Sequence, residues 1–134
     1  MQNLVIKIKK LIEKIETEKG SPFKLKCLVS KNSDSDMKWD LILSTEWFDS
    51  TGEMERLDYL AKIIFPEFNT SDLLDFSSII TYTTTESNSL IECLINLRRK
   101  FVDSRLNDSS NYGDDIRYSL RECRGFEQEE VIFL

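Results

Sequence analysis

The sequence contains no histidine among its 134 residues. Histidine is the side chain whose ordinary pKa lies closest to neutrality, and it is the commonest transition-metal ligand. Its absence excludes Ser-His and Cys-His nucleophile pairs and every zinc site that needs an imidazole. The sequence also has no glycine-rich phosphate loop, no Cys-x-x-Cys pair and no EF-hand calcium loop. We therefore predict a protein that is not an enzyme and that needs neither a metal nor a cofactor.

Glycine and proline are scarce, with four and two residues respectively, which leaves little material for flexible linkers. No segment repeats with a period of about 20–50 residues, so solenoids and propellers are excluded. A chain of this length, with 40% hydrophobic residues and eight phenylalanines, is long enough to bury a continuous core. We predict one globular domain over residues 1–134, with residues 103–115 as an exposed polar loop.

The three cysteines, Cys27, Cys93 and Cys123, are odd in number and match no disulfide or metal-binding spacing. Each lies among apolar residues, where a free thiol behaves as a small hydrophobic side chain. Lysines and a glutamate near the N-terminus interrupt the apolar run that a signal peptide needs. No run of about 18 apolar residues is present that could cross a membrane. We expect a cytoplasmic protein with free thiols and no membrane association.

The net charge of −6 is distributed unevenly along the chain. Residues 1–26 carry seven lysines against three glutamates, whereas residues 32–92 carry thirteen acidic residues against three basic ones. A segment this acidic repels nucleic-acid phosphates and attracts basic proteins over long range. We therefore predict a basic protein partner and no nucleic acid. The alternative is that the acidic residues only keep the chain soluble.

Three segments have the apolar period of amphipathic helices. The first covers residues 2–19; the second runs from the Ser50 region to Pro66, and the third covers residues 89–102. Ser50 and Ser89 are each followed three positions later by glutamate, which is the spacing of a capping box. The first helix is rich in lysine, but its polar face also carries glutamates, so we interpret it as packing on the core rather than on a membrane surface.

Two strands, residues 23–30 and 39–44, flank a polar turn and predict an antiparallel hairpin. The unbroken apolar run of the second strand predicts that it is covered on both faces. Further strands are predicted at residues 79–84, 116–121 and 131–134. The order α-β-β-α-(α)-β-α-β-(β) indicates an α/β or α+β fold. We expect a mixed sheet of about four to five strands flanked by three main helices.

A helix followed by a hairpin that carries Asp40, with Glu46 and Asp49 further on, resembles in outline the restriction-endonuclease-like metal nucleases. The resemblance implies carboxylates that bind Mg²⁺ beside a lysine that positions water. Here Glu46 is followed by Trp47 and Phe48, with no lysine in the triplet. We therefore keep a nuclease-like fold without activity as a third possibility, and an acidic strand edge or turn as the simpler interpretation.

The acidic residues between positions 34 and 58, together with two adjacent aromatic residues, are the best candidates for a binding surface. Aromatic residues surrounded by charged ones match the usual anatomy of an interface anchor with a polar rim. The alternative for the two aromatic residues is that they plug the top of the sheet. The candidate partner-binding residues are Asp34, Asp36, Glu46, Trp47, Phe48, Asp49, Glu53 and Glu55.

These features predict a non-catalytic protein-binding domain. Its most specific form is a small acidic inhibitor or immunity-type protein that acts on a basic protein partner, because opposite charge accelerates association. The alternative is an accessory or structural subunit of a larger bacterial complex, for example a defence complex, in which exposed strand edges bind the neighbouring chains.

Overall fold

In the computed structural model, residues 2–32, 37–86, 88–101, 117–120 and 128–134 are described. Across these ranges a five-stranded mixed sheet lies between two layers of helix, which confirms the predicted fold class. No helix in these ranges is long and apolar enough to span a lipid bilayer.

Helices and strands follow each other in the predicted order. The α-helices are α1 (Gln2–Lys19), α2 (Glu53–Ile64), α3 (Thr70–Asp75) and α4 (Ser89–Phe101). The strands are β1 (Phe23–Asn32), β2 (Met37–Thr45), β3 (Phe76–Tyr82), β4 (Arg117–Ser119) and β5 (Gln128–Phe133). Two 3₁₀ helices, Glu46–Ser50 and Phe65–Glu67, precede and follow α2. The predicted loop at residues 103–115 lies outside the described residues.

The strands lie side by side in the order β3-β2-β1-β5-β4. β1 and β2 form the predicted antiparallel hairpin, with Leu28 opposite Leu41. β2 and β3 are parallel, and the chain between them crosses over through α2 and α3. β5 returns antiparallel to β1 and pairs with the short strand β4. The sheet is therefore mixed, and β3 is its outermost strand on one side.

Side chains alternate between the two faces of the sheet. Leu41 and Leu43 of β2 pack with α1 and α2, whereas Ile42 packs with α4 on the opposite face. All three side chains are fully buried. The prediction that the second strand is covered on both faces is confirmed.

Most of the predicted core residues are buried. The sequence predicts burial of Trp39, Leu41, Leu43, Leu57, Leu60, Ile64, Ile79, Leu94, Leu97 and Phe101. Seven of these are no more than 3% exposed. Leu57 and Ile79 are half-buried, because they lie towards the β3 side of the sheet, where no further strand covers them in the described ranges. The side chain of Phe101 lies outside the described residues.

The residues that begin the helices differ from the predicted ones. Gly52 precedes α2 and makes no side-chain cap. Asn69 caps α3, accepting a bond from the Asp72 amide while the Asp72 carboxylate accepts from the Asn69 amide, both at 2.9 Å. Asn88 precedes α4 and accepts from the Ile91 amide at 2.9 Å. An asparagine oxygen reaches the same amide as a serine hydroxyl, so spacing alone did not locate the caps.

The prediction of free thiols holds for Cys27 and is wrong for Cys93. Cys27 is a fully buried free thiol. Burial raises its pKa to about 12, although the positive charge of Arg98 acts to lower it. Cys93 is disulfide-bonded, and its partner lies outside the described residues, as does Cys123. Separation along the sequence does not limit which thiols the fold brings within bonding distance, so cysteine spacing gave no sign of this bond.

Replacing Leu94 with alanine should lower the free energy of unfolding by about 2–5 kcal/mol, because a fully buried leucine leaves a cavity when truncated. Urea denaturation followed by circular dichroism measures the change. Leu74→Ala is the matched control, since Leu74 is 66% exposed and its loss should cost no more than about 0.5 kcal/mol. Equal stabilities for the two variants would contradict the packing of α4 on the sheet.

Candidate protein-binding surface

The candidate surface begins in the 3₁₀ helix Glu46–Ser50, which joins the end of β2 to α2. Phe48 in this helix is fully buried and makes edge-to-face contacts with Phe23 and Trp47 at centroid distances of 6.1 and 4.6 Å. A side chain without exposed surface is not available to a partner. The prediction of Phe48 as an anchor is corrected: it closes the top of the core, as the alternative interpretation held.

Trp47 is half-buried against the ends of two helices. Its ring meets Tyr59 of α2 edge to face at 5.3 Å, and the ammonium group of Lys19 lies 4.7 Å from the Trp47 centroid and 4.3 Å from the Tyr59 centroid. The pKa of Tyr59 is raised, mainly because the side chain is partly buried and to a smaller extent because the Glu18 carboxylate is close to it. Trp47 therefore joins α1 to α2 and offers only part of its ring to solvent.

Arg56 on α2 is a charged residue turned into the protein. It is 6% exposed, and its Nε donates to Thr81 Oγ1 at 2.7 Å. Its Nη1 donates to the carbonyl oxygens of Thr51 at 3.1 Å and Phe48 at 3.4 Å, and the guanidinium lies 5.5 Å from the Phe48 ring. Sequence reasoning did not select Arg56. Its position four residues before Leu60, on the buried face of α2, was the available signal.

The carboxylates of the same segment point outwards. In residues 46–56 the exposed acidic residues are Glu46, Asp49, Glu53 and Glu55. Arg56 is the single cation of this segment, so its burial leaves only negatively charged side chains exposed there, while Lys19 and Lys24 of other segments lie near Trp47 and Asp49. We call these four residues the acidic face. Met54 stands between Glu53 and Glu55 in the sequence, and its side chain is 81% exposed. The other two candidates, Asp34 and Asp36, lie outside the described residues.

Asp49 connects the acidic face to the end of β3. Its carboxylate accepts from the Thr84 amide at 2.7 Å and also from the Thr84 hydroxyl. The hydroxyl bond and then the amide bond lower the pKa of Asp49, with smaller contributions from Lys24 and Arg56. The carboxylate of Asp49 therefore stays ionised to a lower pH than an ordinary aspartate does.

A small cavity of about 200 Å³ lies beside this connection. It is found where β2 and β3 end and α4 begins, and the carboxyl ends of parallel strands are a common place for ligands in open α/β sheets. Its polar lining comes from Lys24, Ser44, Thr83, Thr84, Thr85, Glu86 and Glu92. The lining is mostly hydroxyl groups and carboxylates, so the cavity extends the polar surface next to the acidic face.

The carboxylates that would form a nuclease site do not converge. Asp40 is 3% exposed and accepts from the Ser78 hydroxyl at 2.7 Å, on the face of the sheet that α4 covers. Glu46 follows the end of β2 and is exposed. Six residues of strand separate their backbones by about 20 Å. Within the described ranges no group of three or more potential ligands is placed to hold a metal ion.

No protein-family model matches the chain, and no curated protein or solved structure matches it significantly. The function is therefore inferred from the chemistry of this surface alone. The surface combines fixed negative charge, an exposed flexible apolar side chain and a rigid base of buried aromatic rings.

Replacing Thr84 with valine should raise the pKa of Asp49 towards its ordinary value, because the hydroxyl donor is lost and the amide donor stays. A depressed carboxyl pKa in the folded state stabilises the fold above the ordinary pKa, and this contribution disappears as the pH falls through the depressed value. As the pH is lowered into the acidic range, the free energy of unfolding should therefore fall less in the Thr84 variant than in the wild type. Carboxyl NMR titration measures the pKa, and Thr85→Val, which makes no bond to Asp49, should leave it unchanged.

Replacing Arg56 with alanine should lower the free energy of unfolding by about 1.5–3 kcal/mol, because a buried hydroxyl and two carbonyl groups lose a charged donor. Chemical denaturation measures this. Lys62→Ala removes a cation from the same helix, but Lys62 is 75% exposed in its pair with Asp58. Its loss should cost no more than about 0.5 kcal/mol. If the Arg56 variant were as stable as the Lys62 variant, the buried position of the guanidinium would be wrong.

Proposed function

We propose that this protein is a non-catalytic binding domain that acts as a small inhibitor or immunity-type protein on a basic protein partner. One observation carries the proposal: residues 46–56 expose four carboxylates while their single cation, Arg56, is buried and hydrogen-bonded inside. The burial of Arg56 leaves these four carboxylates without an exposed cation from their own segment.

The charge separation has a direct consequence for association. A surface of one sign steers an oppositely charged partner and raises the association rate, while like-charged proteins are repelled. Glu53 and Glu55 lie in the first turn of α2, where the helix dipole stabilises negative charge. The partner that fits is a protein with a cationic cleft or active site.

Met54 supplies the apolar part of this surface. Its side chain is flexible and polarizable, so it adapts to pockets of different shape. It is next to Glu53 and Glu55 in the sequence, so it adds exposed apolar surface to the turn of α2 that carries both carboxylates. We assign Met54 the anchoring role that the sequence analysis had given to Phe48.

The alternative function is that of a subunit in a larger bacterial assembly. A specific observation favours it: Phe65, Leu73 and Leu74 are 40%, 50% and 66% exposed around the start of β3. Clustered apolar residues on a surface often mark contacts with another protein chain. Both functions are non-catalytic and both require protein recognition, so they differ in whether the contact is permanent.

The cytoplasmic location stays a prediction. The disulfide of Cys93 weighs against it, because disulfides persist mainly in oxidising compartments. The absence of nucleic acid among the partners also stays a prediction, supported by the acidic face and the net charge of −6.

The test begins with capture of the partner from native lysate on the tagged full chain, followed by association kinetics with the purified partner. Glu46, Glu53 and Glu55 are then changed together to glutamine, which removes charge but keeps size and helix propensity. Asp49 is left intact because it holds Thr84. Electrostatic steering contributes about 10–10³-fold to association rates, so the triple variant should associate at least about tenfold more slowly at low salt.

The salt dependence provides the second readout. The wild-type rate should fall from low to physiological ionic strength, and the rate of the triple variant should be nearly flat. Glu13→Gln is the control, because Glu13 is exposed on α1 beside Lys26 of β1 and Leu134, which follows β5, and β2 separates these strands from β3. A captured partner whose association rate responds to neither salt nor the triple change would contradict the proposed function.

A further inference from the structure

Among the described strands, β3 is the end strand of the sheet and pairs with β2 alone, so none of them occupies its outer edge. After an irregularity at its second residue the pairing is regular from Ser78 to Tyr82. In a strand with one neighbour, alternate residues direct their N–H and C=O groups away from it. The stretch Ser78–Tyr82 therefore has a row of backbone donors and acceptors that no other described strand pairs with.

Two features that often protect an end strand are missing from this edge, since the sequence from Ser78 to Tyr82 contains no charged residue and no proline. Ile79 and Ile80 are half-buried, whereas Leu41 and Ile42, their partners on β2, are fully buried. An additional strand would cover the remaining apolar surface of both isoleucines. An uncharged edge of β-branched residues is suited to binding an extended peptide segment.

The two ends of the edge have different chemistry. At its start, Phe65 lies 5.8 Å from Phe76 between ring centroids and stays 40% exposed. At its far end, two carboxylates hold the residues that follow β3: Glu86 accepts from the Thr83 amide at 3.1 Å, and Asp49 accepts from the next amide. The edge thus runs from an exposed apolar patch to a pair of negative charges.

We propose that the edge Ser78–Tyr82 binds an extended segment of a protein partner that carries lysine or arginine, by adding it as a further strand of the sheet. The proposal rests on the proposed function, because the acidic face adjoins this edge through Asp49. Main-chain hydrogen bonds provide affinity in such complexes, and alternate side chains provide specificity. The cations of the segment lie next to the carboxylates at the end of β3 and on α2.

Charge selects this occupant over a second copy of the chain. Two copies joined through β3 would bring together two molecules that each carry a net charge of −6. Like charge opposes self-association, whereas a basic segment is attracted by the same field. The helix α2 carries Glu53 and Glu55 of the acidic face and is attached to β3 by the hydrogen bond from Arg56 to Thr81.

The test uses the full chain and a capped seven-residue peptide of alternating lysine and valine. Backbone amide exchange is followed by NMR without peptide and with peptide at ten times its Kd. Solvent-facing amides in Ser78–Tyr82 should exchange about tenfold more slowly with peptide, because exchange then requires the unbound state. A second peptide carries N-methyl groups on alternate residues, which keep its charge and side chains but remove the hydrogen-bond donors. This peptide should give no protection.

Three other outcomes are possible, and each one overturns a different part of the proposal. If both peptides shift the resonances of residues 46–58 and neither protects Ser78–Tyr82, strand addition is wrong while the proposed function stands. If a glutamate and valine peptide protects the edge equally, the basic character of the occupant is wrong. If the free chain sediments as a dimer with Ser78–Tyr82 already protected, the occupant is a second copy.

Discussion

The burial of β2 on both of its faces is the constraint on which the rest of the structure depends. Leu41 and Leu43 require cover from one side of the sheet and Ile42 requires it from the other, so helices must pack on both faces. Hydrogen bonds to β1 and β3 complete both of its edges. Because β3 runs parallel to β2, the chain must cross over through α2 before returning. That crossover carries the acidic face and leaves β3 outermost.

The buried guanidinium of Arg56 links this architecture to the surface chemistry. A charge taken out of water is costly unless donors and acceptors inside the protein replace the lost hydration. The hydroxyl of Thr81, two carbonyl groups and the Phe48 ring offset that cost here. The same interactions fasten α2 to β3. Arg56 therefore cross-links α2 to β3 inside the protein. Because it is buried, residues 46–58 expose no positively charged side chain.

The acidic face and the open edge of β3 belong to one side of the molecule. Asp49 and Glu86 bind the amides that follow β3, so the chain leaves the sheet between two carboxylates. Under the two proposals, a partner attracted by the acidic face would arrive next to backbone groups that no other described strand pairs with. Long-range attraction and short-range hydrogen bonding would then act on the same partner.

Periodicity and composition predicted much of the fold. The helix at residues 2–19, the hairpin and the mixed sheet were all read from apolar spacing, which records only the faces that must be buried. Cap residues were misplaced by one or two positions, because several polar side chains satisfy the same amide. The disulfide of Cys93 and the burial of Phe48 left no local pattern. Both depend on which distant segments meet.

The sequence by itself determined the secondary structure order, the negative charge and the exclusion of histidine-based chemistry, since these follow from local spacing and composition. Only the tertiary structure decided which charges face solvent. Arg56 and its acidic neighbours are adjacent in the chain, yet one is buried and the others are exposed. That separation arises because Thr81, 25 positions away, supplies the acceptor that holds the guanidinium inside. A contact between residues so far apart in the chain leaves no local pattern in the sequence.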